Sequence, residues 1–85
     1  MKPVIVDVRE PFEYKMGHVK GALNIPPSEL LAGARKLAEV EKDAPIVLYC
    51  RTGTRANASM HILRDMGYTN LTNGLTKQRV EAMYS

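Results

Sequence analysis

Cys50 is the single cysteine of this 85-residue chain, and it stands where an apolar run, Ile46-Val47-Leu48-Tyr49, gives way to Arg51-Thr52-Gly53-Thr54-Arg55. A loop that carries a glycine and curls into a helix N-terminus points successive backbone N–H groups into one concavity, where the helix dipole adds partial positive charge. A sulfur at the centre of such a cradle, with Arg51 and Arg55 close by, is favoured as the thiolate. A thiolate is a good nucleophile at neutral pH, and the same donors would hold the oxygens of an anionic substrate. Cys50 is therefore the candidate nucleophile, and Arg51, Thr52, Gly53, Thr54 and Arg55 are the candidate substrate-binding residues. The plainer reading is a buried core thiol, the common fate of a free cysteine. A core thiol has no use for two arginines and a glycine within five residues. An arginine at the positive end of a helix also points to a nearby anion.

One cysteine excludes an intramolecular disulfide. With only His18 and His61 beside it, no Cys/His metal cluster can form, so neither metal nor cofactor is expected. His61 lies eleven residues past Cys50 on the following helix and is expected to face solvent, so no triad is proposed. Asp7, Arg9, Glu13 and His18 form a second polar group. Glu13 and His18 read as fold scaffold, satisfying backbone ends around a short strand and turn. Asp7 and Arg9 lie at the productive end of a central strand and read as supporting residues, with Arg9 able to help bind an anion.

The elements that must position these groups alternate in type. Val4-Ile5-Val6-Asp7-Val8 has the nearly continuous β-branched pattern of a strand covered on both faces. Pro11 opens a short helix through Met16, which Gly17 ends. Ala22-Leu23-Asn24-Ile25 is a brief strand stopped by Pro26-Pro27. Ser28 is read as the N-cap of a helix to about Lys42, with Leu30, Leu31, Ala34, Leu37 and Ala38 as its apolar face. Ile46 to Cys50 is a second buried strand, followed by a helix from Arg55 to Met66 that Gly67 closes, with Thr54 as its N-cap. A strand near Asn70-Leu71-Thr72, a turn at Asn73-Gly74, and a final helix with Val80 and Met83 complete the chain. Met60, Met66 and Met83 read as core filler. The fold class is α/β, a single domain over residues 1–85 with a small, mostly parallel sheet flanked by helices and right-handed crossovers. Ligands of such sheets bind beyond the carboxyl ends of the strands, where Cys50 sits.

Two blocks carry a family resemblance. The first is Ile5-Val6-Asp7-Val8-Arg9-Glu10-Pro11-Phe12-Glu13-Tyr14 with Gly17-His18-Val19, Gly21-Ala22 and Asn24-Ile25-Pro26. The second is the six-residue loop Cys50 to Arg55, and Gly67-Tyr68 adds to both. The chain resembles the single-domain rhodaneses, thiosulfate sulfurtransferases, and is similar to the small rhodaneses of phage-shock operons. The resemblance implies that Cys50 takes the outer sulfur of thiosulfate, releases sulfite, and carries a persulfide held by the loop amides until an acceptor removes it. That acceptor is cyanide in an assay and a thiol or protein in the cell. It also implies that Arg51 and Arg55 steer the substrate while Thr52, Gly53 and Thr54 supply amides or hydroxyls. The family usually has a further strand and helix before the Asp-x-Arg block, and paired glycines followed by a tryptophan near the C-terminus. Asn73-Gly74-Leu75 stands in that place and no tryptophan is present, which predicts a reshaped pocket wall.

Three other readings compete. Cysteine phosphatases of the dual-specificity type and arsenate reductases share the chemistry of a loop cysteine. The phosphatases place one residue more between cysteine and arginine, usually with a histidine before the cysteine, whereas four residues separate Cys50 from Arg55 and Tyr49 precedes. A persulfide carrier would use the same thiolate with little turnover. A pure interaction module would have no need of the cysteine.

Composition bounds the rest. At this length one core is all the chain can bury, about 60–65% of its unfolded surface. A net charge of +3 with scattered basic residues suits an anionic substrate rather than nucleic acid. No apolar run approaches the roughly 20 residues of a membrane span. The expected chain is a monomer without membrane partners, in the cytoplasm, or in the periplasm if a leader has been removed.

Overall fold

The computed structural model describes residues 2–84. In chain order they form β1 (Val4–Asp7), α1 (Pro11–Met16), β2 (Leu23–Asn24), α2 (Pro27–Leu31), a 3-10 turn (Arg35–Leu37), β3 (Ile46–Cys50), α3 (Thr54–Asp65), β4 (Leu71–Thr76) and α4 (Lys77–Tyr84). The strands make one sheet in the order β2-β1-β3-β4, and every pairing in it is parallel. The α/β class expected from the sequence is the one observed.

β3 is the centre of this arrangement, and all five of its residues are buried. Strand alternation sends Ile46, Leu48 and Cys50 to one face, where they pack with Val6, Val8, Ile25, Leu30, Leu37, Ala56, Leu63 and Tyr68. Val47 and Tyr49 go to the other face, against Val19, Ala22 and Val80. This two-sided burial is why the strand reads as an unbroken apolar run. Truncating Leu48 to alanine would remove about 2–5 kcal/mol, a large share of what a domain this small has. Parallel pairing of β1 and β3, with Asp7 opposite Tyr49, brings the ends of both strands to the same edge of the sheet. The site therefore sits there.

The helix expected from Ser28 to Lys42 is not continuous. Pro26 takes the N-cap position, Ser28 lies inside the helix, and α2 stops at Leu31. Gly33 adopts φ 113°. The N–H of Ala34 donates to the carbonyl of Glu29 (2.9 Å) and that of Gly33 to Leu30 (3.1 Å), the paired closure of a helix end with glycine just beyond it. The chain then turns, so Leu30, Ala34 and Leu37 are buried as expected while Leu31 and Ala38 face solvent.

The turn expected at Asn73-Gly74 is likewise absent, because β4 runs straight through both residues. Leu48 pairs with Asn73 and Tyr49 with Leu75, so Gly74 is the extra residue of a bulge. A Cβ at Gly74 would lie 2.5 Å from Val80 Cγ2 and 2.9 Å from Val47 Cγ1, so glycine is required there by close approach. Met60 and Met66 pack against the core, but Met83 is 49% exposed. It is not core filler, because the inward face of α4 is supplied by Val80.

Candidate active site

The loop between β3 and α3 is short because Gly53, not Thr54, takes the N-cap position of α3, with φ 97°. That φ is one side chains rarely adopt, so glycine is imposed there by conformation, and the Leu75 side chain occupies the space beside it. Thr54 becomes the first helical residue, and its hydroxyl lies 3.2 Å from that of Thr52. Both threonines are exposed. The turn delivers the N–H of Gly53 to Cys50 Sγ at 3.0 Å.

Cys50 is only 2% exposed. Burial pushes its thiol up, but backbone N–H groups of Ala56, Thr52, Gly53 and Arg55 outweigh that, and the thiol lies below its ordinary value. The charged form of the sulfur is thus favoured mainly by main-chain donors at a helix N-terminus.

Asn73, which the sequence suggests only as a turn residue, supports that loop from β4. Its Nδ2 donates to the carbonyl of Gly53 at 3.0 Å, and its Oδ1 accepts from the N–H of Leu75 at 2.9 Å. The carbonyl of Gly53 also accepts from the N–H of Asn57 at 2.9 Å, so the loop is held from helix and strand together. Leu75 has φ 71°, a conformation that costs a non-glycine residue energy and that the bulge enforces.

The arginines have different partners. Arg55 makes a two-pronged ion pair with Glu13 on α1, Nη1 to Oε1 at 2.8 Å and Nη2 to Oε2 at 3.2 Å. The anion that compensates this arginine at the helix N-terminus is therefore a carboxylate of the chain itself. The hydrogen bond from Arg55 pulls the Glu13 carboxyl down to about 2. Glu13 Oε1 also accepts from the N–H of Glu10 at 3.1 Å, which fastens the start of α1. Arg51 is exposed on the pocket wall, with no ion pair among the described residues.

Asp7 and Arg9 form a compact unit. The completely buried Asp7 accepts from Arg9 Nε at 2.9 Å, from Arg9 Nη2 at 2.7 Å and from the Tyr49 hydroxyl at 2.9 Å. Arg9 Nη2 reaches on to the carbonyl of Gly17 at 2.7 Å, and the Tyr49 oxygen accepts from the N–H of Val19 at 3.0 Å. The hydrogen bond to Asp7 keeps the Arg9 guanidinium more firmly protonated, and burial raises the Tyr49 phenol above its ordinary value. Nearby, His18 stacks on Tyr14 with ring centroids 3.6 Å apart and its Nδ1 lies 2.8 Å from the Tyr14 carbonyl. His61 is exposed, as the sequence suggests.

In front of Cys50 lies a pocket of about 600 Å³ bounded by Arg9, Phe12, Glu13, Met16, Gly17, Arg51, Lys77 and Gln78. Sequence reasoning brought Cys50, Arg9 and Arg51 to it. It missed Phe12, Met16, Lys77 and Gln78. The signal for Phe12 and Met16 was their place on the helix just after β1, at the end of the sheet where ligands bind. Among the described residues no His, Cys, Asp and Glu cluster could hold a metal ion, and no helix is long and apolar enough to cross a membrane.

A parallel sheet with a cysteine at the end of its central strand, beneath the first amides of a helix, defines the class, and the sequence agrees with it. The model of the rhodanese-like domain family matches residues 1–77, and the chain belongs to that family. Among its relatives, the Bacillus subtilis protein YqhL is 39% identical over 72 residues, 85% of this chain and 55% of that protein. The thiosulfate sulfurtransferase PspE of Escherichia coli is 37% identical over 68 residues, 80% of this chain and 64% of that protein. The chain therefore spans less than two thirds of either relative. A rhodanese from Escherichia coli solved with anions superposes with a TM-score of 0.80 at 33% identity, over 92% of this chain and 91% of that one.

Proposed function

We propose that this domain is a thiosulfate sulfurtransferase in which Cys50 carries the sulfur. The observation that carries the reading is the Cys50 sulfur at the floor of an open pocket, with the Gly53 N–H 3.0 Å away and its thiol lowered by loop amides. The Cys50 thiolate attacks the outer sulfur of thiosulfate. A new S–S bond forms as the S–S bond of thiosulfate breaks, and sulfite leaves with the electron pair. The persulfide that results keeps its charge under the amides of Thr52, Gly53 and Arg55 that served the thiolate. An acceptor then attacks the outer sulfur and frees the Cys50 thiolate.

The remaining residues divide by reach. Arg51 sits on the wall with its charge uncommitted and guides the dianion inward. The hydroxyls of Thr52 and Thr54 offer donors at the loop. Arg55 fixes the N-terminus of α3 to α1 through Glu13, and Asp7 with Arg9 holds the strand ends. Kinship with PspE supports thiosulfate as the donor. Intact-mass measurement after thiosulfate treatment tests the reading: one added sulfur on wild type and none on Cys50→Ser is expected. Unmodified wild-type protein would reject it.

A further inference from the structure

The two faces of the sheet are covered unequally. On the face of Leu48, α3 buries Ala56 and Leu63, and α2 buries Leu30. On the face of Val47, α4 buries Val80 alone and α1 buries nothing. A parallel sheet needs cover on both faces. Where the second face runs short of it, a cavity of about 710 Å³ opens, lined by the buried Val19 and Val80 and the half-buried Ile5. Tyr84, 42% exposed, adds an aromatic ring to the lining.

This cavity is separate from the one in front of Cys50, and no lining residue is common to the two. α4 runs between them. Lys77 and Gln78 in its first turn line the Cys50 pocket, whereas Tyr84 at its end lines the second cavity.

The charged residues of the second cavity are Lys2, Lys20 and Glu81. Glu81 is answered by Lys77 at 3.1 Å. Lys2 and Lys20 are exposed, and neither has an ion pair among the described residues. An apolar lining together with uncommitted cations suits an amphipathic anion, and the volume lies within the range of sites that enclose small organic ligands. A second copy of the chain suits it less well. A two-fold contact sets the same patch on both partners, so four lysines would gather there.

We propose that this cavity is a second binding site, for a small organic acid whose aliphatic body lies against Ile5, Val19 and Val80 and whose carboxylate is held by Lys2 and Lys20. The site is distinct from the sulfur-transfer reading and does not depend on it.

Titration of the whole chain with octanoate, followed by backbone amide NMR shifts, tests the proposal. Saturable shifts are expected at Ile5, Val19, Lys20, Gly21 and Glu81, with the amides of Gly53 and Thr54 unmoved. Affinity should rise by up to about fourfold per methylene from hexanoate to decanoate. Octanol, which lacks the charge, should bind several-fold more weakly than octanoate. In the double variant Lys2→Glu/Lys20→Glu, with its fold checked by circular dichroism, octanoate should bind about tenfold more weakly while octanol binds as before. Absence of saturable shifts, shifts centred on the Cys50 pocket, or an octanoate affinity that the variant retains would each overturn the proposal. Shifts at these residues that follow protein concentration alone would also overturn it, by giving the cavity to a second copy. Should the variant fail to fold, equal affinities of octanoate and octanol for wild type would reject the site.

Discussion

Two arginine–carboxylate pairs flank the Cys50 pocket, and they differ in what surrounds them. In the Asp7–Arg9 pair the carboxylate is fully buried, and it gathers Arg9, the Tyr49 hydroxyl and, through Arg9, the Gly17 carbonyl. In the Glu13–Arg55 pair the guanidinium is about one third exposed and the carboxylate about one tenth, and the bond straps α1 to α3. A buried charge that loses its partner is left uncompensated, whereas a pair whose guanidinium stays partly in water loses less. The first pair is part of the frame that sets the ends of β1 and β3. The second is a clasp. Neither is the main source of charge stabilisation at the sulfur, which comes from backbone amides.

Breaking the frame should have the largest effect. Asp7→Ala leaves the Arg9 guanidinium and the Tyr49 hydroxyl without their acceptor, and urea unfolding should show a loss of about 3–5 kcal/mol. A loss below about 1 kcal/mol would mean that the two pairs are equivalent after all.

Next comes the support of the loop. Asn73→Ala removes the donor to the Gly53 carbonyl, so Cys50 should be alkylated at neutral pH about three- to tenfold more slowly, with the midpoint of its pH profile moved upward. An unmoved midpoint would show that Asn73 holds β4 without tuning the sulfur.

The clasp should matter least. Glu13→Gln is expected to cost about 1 kcal/mol at neutral pH. Its pH dependence has a definite sign. The folded carboxyl is held down at about 2 against an ordinary 4.5, so the unfolded chain binds the extra proton. The contribution is complete above pH 4.5 and is lost as pH falls toward 2. The stability difference between wild type and Glu13→Gln should therefore close in that window. A difference that persisted at the acid end would assign the effect to packing.

The central strand and the sulfur loop were largely legible in the sequence because local rules dictate them. A strand buried on both faces must be an apolar run, as Ile46 to Cys50 is, and a polar glycine turn after it must lead into the next helix. The misreadings came where one pattern serves two structures. Leu30, Ala34 and Leu37 have the spacing of an unbroken helix, yet the same burial is reached when the helix closes at Gly33 and the chain turns. Asn73-Gly74 has the letters of a tight turn, but the glycine answers to the crowding of Val47 and Val80. The partners of the site were the least legible. Glu13 and Arg55 are 42 residues apart, and Asn73 lies 20 from Gly53, distances over which spacing carries no signal.

The account stands most directly on the state of one sulfur, and the pH dependence of Cys50 alkylation by iodoacetamide in the untreated wild-type protein measures it. The half-maximal rate is predicted to fall clearly below the roughly 8.5 of an ordinary cysteine. A midpoint at or above that value would leave the loop amides without the role given them here.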